Sequence, residues 1–176
     1  MPKMCYYQPM YTYCLFCETI KSKQVARQAE VLFHCRAICA QLEQLKWVQK
    51  QPLRERHDFL PGYVFLYTEE PIPDLRLAFR IGGVVRCLGD REDAWQLQGS
   101  DEAFALMLHA KDGVLGAVPV YAEGDRIRIK DGAFRGTEAT ILRVNRRKQQ
   151  MQITLPFAGQ QVTVWLEYVY TEPVTI

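Results

Sequence analysis

Ten residues, FLPGYVFLYT at 59–68, restrict this chain more than any other stretch. Pro61-Gly62 punctuates the approach, and from there Tyr63, Phe65 and Tyr67 alternate with Val64 and Leu66. Successive side chains of a strand point to opposite faces, so both faces of this one are apolar or aromatic. Such a segment suits only a central place in a sheet, with material covering it on each side. The rest of the chain has to supply those neighbours and layers.

Residues 11–17, YTYCLFC, read as a strand by composition, and KSKQVARQAEVLF then places Val25, Ala29, Leu32 and Phe33 on one helical face for about three turns. Lys21 and Lys23 stand at the positive end of that helix, each at a cost of about 0.3 kcal/mol or more; a bound anion would offset it. Residues 35–58 show no clean period and read as a charged excursion between strands. PIPDLRLAF offers Pro73 and Asp74 as a helix start, VVRCL reads as a strand, and SDEAFALMLHAKDG reads as a helix with Ser100 as cap, Phe104, Met107 and Leu108 on the buried side and Gly113 as terminator. This order predicts an α+β sandwich, helices on an antiparallel sheet.

The helical period then disappears. KDGVLGAVPVYAEG reads as a short linker, and turn residues Asp131-Gly132, Asn145 and Ala158-Gly159 separate strand-like runs at 126–130, 137–144, 149–155 and 161–166. Short strands at this spacing predict a small closed β-barrel. The charge is uneven along the chain: Lys and Arg outnumber acids nine to five over residues 1–59, acids lead nine to five over 60–120, and the basic excess returns, eight to six, over 121–176. Within 124–153 there are eight Lys or Arg against three acids, four of the eight in RVNRRK. Like charges crowded at one turn favour an anionic partner over plain solvation.

Six cysteines raise the question of metal or disulfides. Cys14 and Cys17 are three apart on a strand and point to opposite faces, and no second C-x2-C follows, so reduced, mostly buried thiols without metal or cofactor are expected. The longest charge-free run, MCYYQPMYTYCLFC, is too short and too polar to span a bilayer. A cytoplasmic protein, monomeric and not associated with a membrane, is the expectation. His34, His57 and His109 are scattered and no nucleophile turn or phosphate loop occurs, so no enzyme activity is expected.

Two motifs in order bring a family into view. FLPGYVFL resembles the FFPGYV signature of the NusG amino-terminal (NGN) domain, and GDRIRIKDGAFRGTEATILRVNRRKQQ resembles a KOW motif, at the separation seen in NusG-type transcription factors. YCLFC followed by a basic helix, the short linker and RVNRRK are similar to specialised paralogues of the RfaH and LoaP kind. The resemblance implies an NGN domain, a ferredoxin-like sandwich, at 1–109, a linker at 110–120 and an SH3-like KOW barrel at 121–176. It further implies an elongation factor that docks on the clamp helices of RNA polymerase and promotes processive antitermination of target operons.

On the positions that match, the resemblance implies polymerase binding by Phe16, Phe59, Leu60, Tyr63 and Phe65, and contact with non-template DNA by Lys21, Lys23 and Arg27. In the KOW segment it implies RNA binding, to a hairpin of the nascent transcript, by Lys130, Arg143, Arg146, Arg147 and Lys148, with ribosomal protein S10 as a further partner. The competing reading is a KOW-type RNA-binding protein acting on the ribosome or coupling transcription to translation. The FLPGYVF domain, which ribosomal KOW proteins lack, separates the two.

Overall fold

The computed structural model describes residues 9–89, 94–123, 126–129 and 140–171. In chain order the first elements are β1 (Tyr11–Cys17), α1 (Ser22–Phe33), β2 (Arg36–Ile38), β3 (Gln41–Val48), β4 (Gln51–Asp58) and β5 (Tyr63–Thr68). A 3-10 turn (Leu75–Arg80), β6 (Val84–Cys87) and α2 (Gly99–Ala110) follow, then β7 (Val114–Leu115), β8 (Val118–Glu123), β9 (Arg126–Ile129), β10 (Thr140–Asn145), β11 (Gln150–Phe157) and β12 (Gln160–Tyr170). The architecture is mixed α+β, mostly strands with few helices. It forms two compact units, each assembled from separate stretches: the chain through Ile38 with Gly62–Leu97, and Cys39–Pro61 with the chain from Gln98 onward.

The first unit is built on a four-stranded antiparallel sheet in the order β2-β5-β1-β6. β5 is central, as its two apolar faces require, and Val64 through Thr68 are all buried. The buried stripe of α1 is Val25, Ala26 and Ala29, with Leu32 and Phe33 half-buried. Asp74 caps the 3-10 turn by accepting from the Arg76 amide at 3.1 Å. The Ile72 amide donates to the hydroxyl of buried Tyr13 at 2.9 Å, which ties the preceding loop to β1.

The second unit holds a five-stranded sheet, β10-β11-β12-β8-β9, and a three-stranded one, β4-β3-β7. Met151, Ile153, Leu155 and Phe157 alternate inward along β11, and the two-residue turn Ala158-Gly159, both at positive φ, joins it to β12. Phe104 of α2 meets Phe157 edge-on at 5.7 Å, and the Ala158 amide donates to Asp101 Oδ2 at 3.0 Å. Closure of the sheet into a barrel also concerns residues 130–139, outside the described residues.

Three expectations need correction. Residues 41–58 are not an excursion without regular structure but an eight-on-eight hairpin, β3 with β4. Its turn, Gln49-Lys50, has both residues at positive φ without glycine or asparagine, and Leu45, Trp47, Val48 and Leu53 on it are exposed, so neither turn chemistry nor burial pattern signals it. Ser100 lies inside α2, whose N-cap is Gln98, and the carboxylate of Asp101 instead serves the Ala158 amide. The stretch read as linker contributes β7 and the start of β8, and both pair in parallel, β7 with β3 and β8 with β12.

Candidate functional site

The register across β5, β1 and β6 sets Tyr63 opposite Phe16 and Phe16 opposite Arg86. Directly paired residues share a face, so the three side chains form one row across the sheet. On this face Phe65, Tyr67, Cys14 and Thr12 are buried, whereas Phe16 and Tyr63 are half-exposed and Arg86 is exposed. The two rings lie 5.1 Å apart, tilted by 59°, a favourable aromatic contact that holds both in place. Burial pushes the Tyr63 hydroxyl above the ordinary phenol range while the neighbouring Arg86 charge opposes that shift. The phenol therefore stays protonated at neutral pH and can donate.

Gly62 sets the geometry of this row. Its carbonyl accepts from the Cys17 amide at 2.8 Å and from Cys17 Sγ at 3.3 Å, and its φ is +88°. The edge of the Phe16 ring passes directly over its Cα: a Cβ there would stand 3.1 Å from Phe16 Cε2. Of the other residues expected to form this surface, Phe65 is fully buried, and Phe59 and Leu60 belong to the second unit and are also buried, with Phe59 6.4 Å from Phe104. Arg86 was not expected. Nothing in VVRCL marks it, because the signal is a strand register between distant segments.

Lys21, Lys23 and Arg27 gather around the start of α1. Lys21 is the N-cap residue, its Nζ 2.9 Å from Glu18 Oε2, and its aliphatic stem packs on Gly83. The nearby carboxylate offsets the unfavourable placement of a cation at the positive end of the helix. Lys23 and Arg27 are exposed one turn apart, and Arg27 Nε donates to the Lys23 carbonyl at 3.3 Å.

In the second unit the β10–β11 hairpin carries the basic cluster. Asn145 pairs with Gln150, so Arg146, Arg147, Lys148 and Gln149 form the loop, all exposed, with Arg143 exposed on β10. Asn145 Oδ1 accepts from the Lys148 amide at 3.1 Å, and the Tyr168 amide donates to the Gln149 carbonyl at 2.9 Å, which fixes the loop to β12. Lys130 lies outside the described residues.

The thiols are spread out. Cys14 and Cys17 are buried, and burial pushes the Cys35 and Cys87 thiols up to about 11 each, so both are neutral at pH 7. Among the described residues no three His, Cys, Asp or Glu side chains converge as a metal site, and no helix is long and apolar enough to cross a membrane.

No family model and no curated protein matches the chain. Sixteen chains of solved structures do. Among them is NusG of Thermotoga maritima, solved in work on the interaction of its domains, which superposes with a TM-score of 0.55 over 90% of this chain and 94% of that one, at 14% identity, so the architecture is NusG-like. The likeness is one of fold.

Proposed function

We propose that this chain is a specialised NusG-type transcription elongation factor that docks on RNA polymerase and promotes processive antitermination of its target operons. One observation carries the reading: in a NusG-like fold, the Tyr63–Phe16–Arg86 row brings two contacting aromatic rings to solvent on a sheet face whose other aromatic residues, Phe65 and Tyr67, are buried. Contacting rings on a rigid sheet with a cation at their rim make a compact anchor for a protein surface, here the polymerase clamp helices. By its motifs the chain holds an NGN domain at 1–109 and a KOW domain at 121–176, with residues 110–120 between them supplying β7 and the start of β8. Lys23 and Arg27, with Lys21, face the non-template strand. The β10–β11 loop meets the nascent transcript, and ribosomal protein S10 is a further partner of the KOW domain. The protein acts in the cytoplasm as a monomer, by binding and without a catalytic centre.

Pull-down of tagged full-length protein from lysate tests this reading. RNA polymerase subunits recovered in stoichiometric yield support it, and recovery of ribosomal particles without polymerase would favour the ribosomal alternative. Arg86→Gln is expected to weaken polymerase binding by about threefold, mostly through the association rate, with the difference fading as salt rises, because rim charges act mainly by steering. Surface-immobilised polymerase at two ionic strengths reads this directly. For RNA, Arg146→Ala with Arg147→Ala should weaken binding to every RNA tested and flatten the salt dependence by roughly 0.7 to 0.9 for each phosphate no longer neutralised. An unchanged slope would make the loop a solvated surface.

A further inference from the structure

Trp165 has no part in a loop that binds phosphates. It is 44% exposed on β12, directly opposite Gln152 of β11, and Gln152 is opposite Arg143 of β10. The alternate residues of β11, Met151, Ile153 and Leu155, fill the core, so Arg143, Gln152 and Trp165 lie in one row on the outer face. Arg143 is in that row because of a β-bulge: the register shifts between Ile141 and Arg143, with Leu142 as the extra residue. Without it Arg143 would sit opposite Met151, on the core side. The basic loop Arg146, Arg147 and Lys148 adjoins the row, and Thr154 and Thr163, whose hydroxyls are 3.0 Å apart, flank it on the other side. Glu167, two residues from Trp165 on β12, accepts a hydrogen bond from the Leu45 amide. The face is thus polar and cationic around a single accessible indole.

An indole face accepts any base, an amide can both donate to and accept from a base edge, and a guanidinium suits the adjoining phosphate. We propose that the outer face of β10, β11 and β12 binds an unpaired RNA nucleotide, its base stacked on Trp165 and met at the edge by Gln152, its phosphate held by Arg143. The inference rests on the RNA-binding reading of the adjacent loop and adds a preference for single-stranded segments over continuous duplex. Duplex RNA offers a side chain no free base face, whereas a hairpin loop or bulge does.

The test uses full-length protein, a hairpin RNA with a single-stranded loop and a blunt duplex of the same stem sequence. Trp165→Leu is expected to weaken the looped RNA by about tenfold, Trp165→Phe to keep most of the affinity, and both to leave the blunt duplex within about twofold. The salt slope should not change in Trp165→Leu, since a stack releases no counterions, whereas Arg147→Ala weakens both RNAs. In a Trp47→Phe, Trp95→Phe background the looped RNA should quench the remaining indole fluorescence. If Trp165→Leu binds looped RNA like the parent, or loses looped and duplex RNA equally, the stacking site is wrong while the loop assignment stands. If the parent binds neither RNA at low salt, the RNA-binding reading fails and the site with it.

Discussion

A chain carrying both Phe16→Ala and Tyr63→Ala is expected to lose RNA polymerase from its pull-down while still unfolding cooperatively. Central aromatic anchors contribute about 2 kcal/mol or more each when truncated. These two rings touch, so their effects overlap, and together they should weaken binding by roughly 10²- to 10³-fold. Each ring is only half-buried and neither fills the core between sheet and helix, where Leu15, Val64 and Leu66 are completely enclosed. The stability change should therefore stay small beside the binding change. Phe65→Ala is the contrasting variant: its ring is fully buried, and truncation should cost about 3 kcal/mol of stability or more. Undiminished polymerase recovery by the folded double variant would remove the docking row, and equal loss of stability in the double and Phe65 variants would show that the rings serve the core.

The second large effect is expected at Gly62. Alanine there must adopt a φ of +88° and place its Cβ 2.8 Å from the Cys17 carbonyl oxygen, a backbone atom with no freedom to swing away. Left-handed strain and the forced shift of β1 together should cost about 2 kcal/mol or more, measured by urea unfolding. The displaced ring is Phe16, so polymerase binding should fall further than stability alone explains. Gly99 separates conformation from contact: its φ is +60° with nothing within 4 Å of a Cβ, and Gly99→Ala should cost only about 1 kcal/mol. Equal costs at the two positions would mean that Gly62 is needed for its dihedral angles and not for the close approach of Phe16.

The parts of this fold that show in the sequence are those whose cause is local. Two apolar faces in YVFLYT put β5 inside a sheet, and Asn145 and Ala158-Gly159 mark their turns because their residues suit tight turns. The β3–β4 hairpin escapes such reading because Gln49-Lys50 turns without the residues that make turning easy, and because much of the ribbon buries no apolar face. Exposure along a strand is equally hidden. Tyr63, Phe65 and Tyr67 share a face by periodicity, yet only Tyr63 reaches solvent, since what covers the other two comes from elsewhere in the chain. Arg86 beside Phe16 and Arg143 beside Gln152 depend on register, one of them on a bulge, and a single strand read alone contains neither.

The pairing of β1 has a consequence for synthesis. Its first residue, Tyr11, meets Thr68, and its last, Cys17, meets Val84. A ribosome reading from the amino end therefore releases YTYCLFC, with residues as apolar as Leu15 and Phe16, long before either flanking strand exists. Helix α1 can form at once from local contacts, but the strand stays unpaired until the chain has closed a loop of more than forty residues. Throughout that interval its backbone donors and acceptors are available to any other extended segment, and slow translation or overexpression should lead to aggregation through this segment before the finished fold is ever challenged.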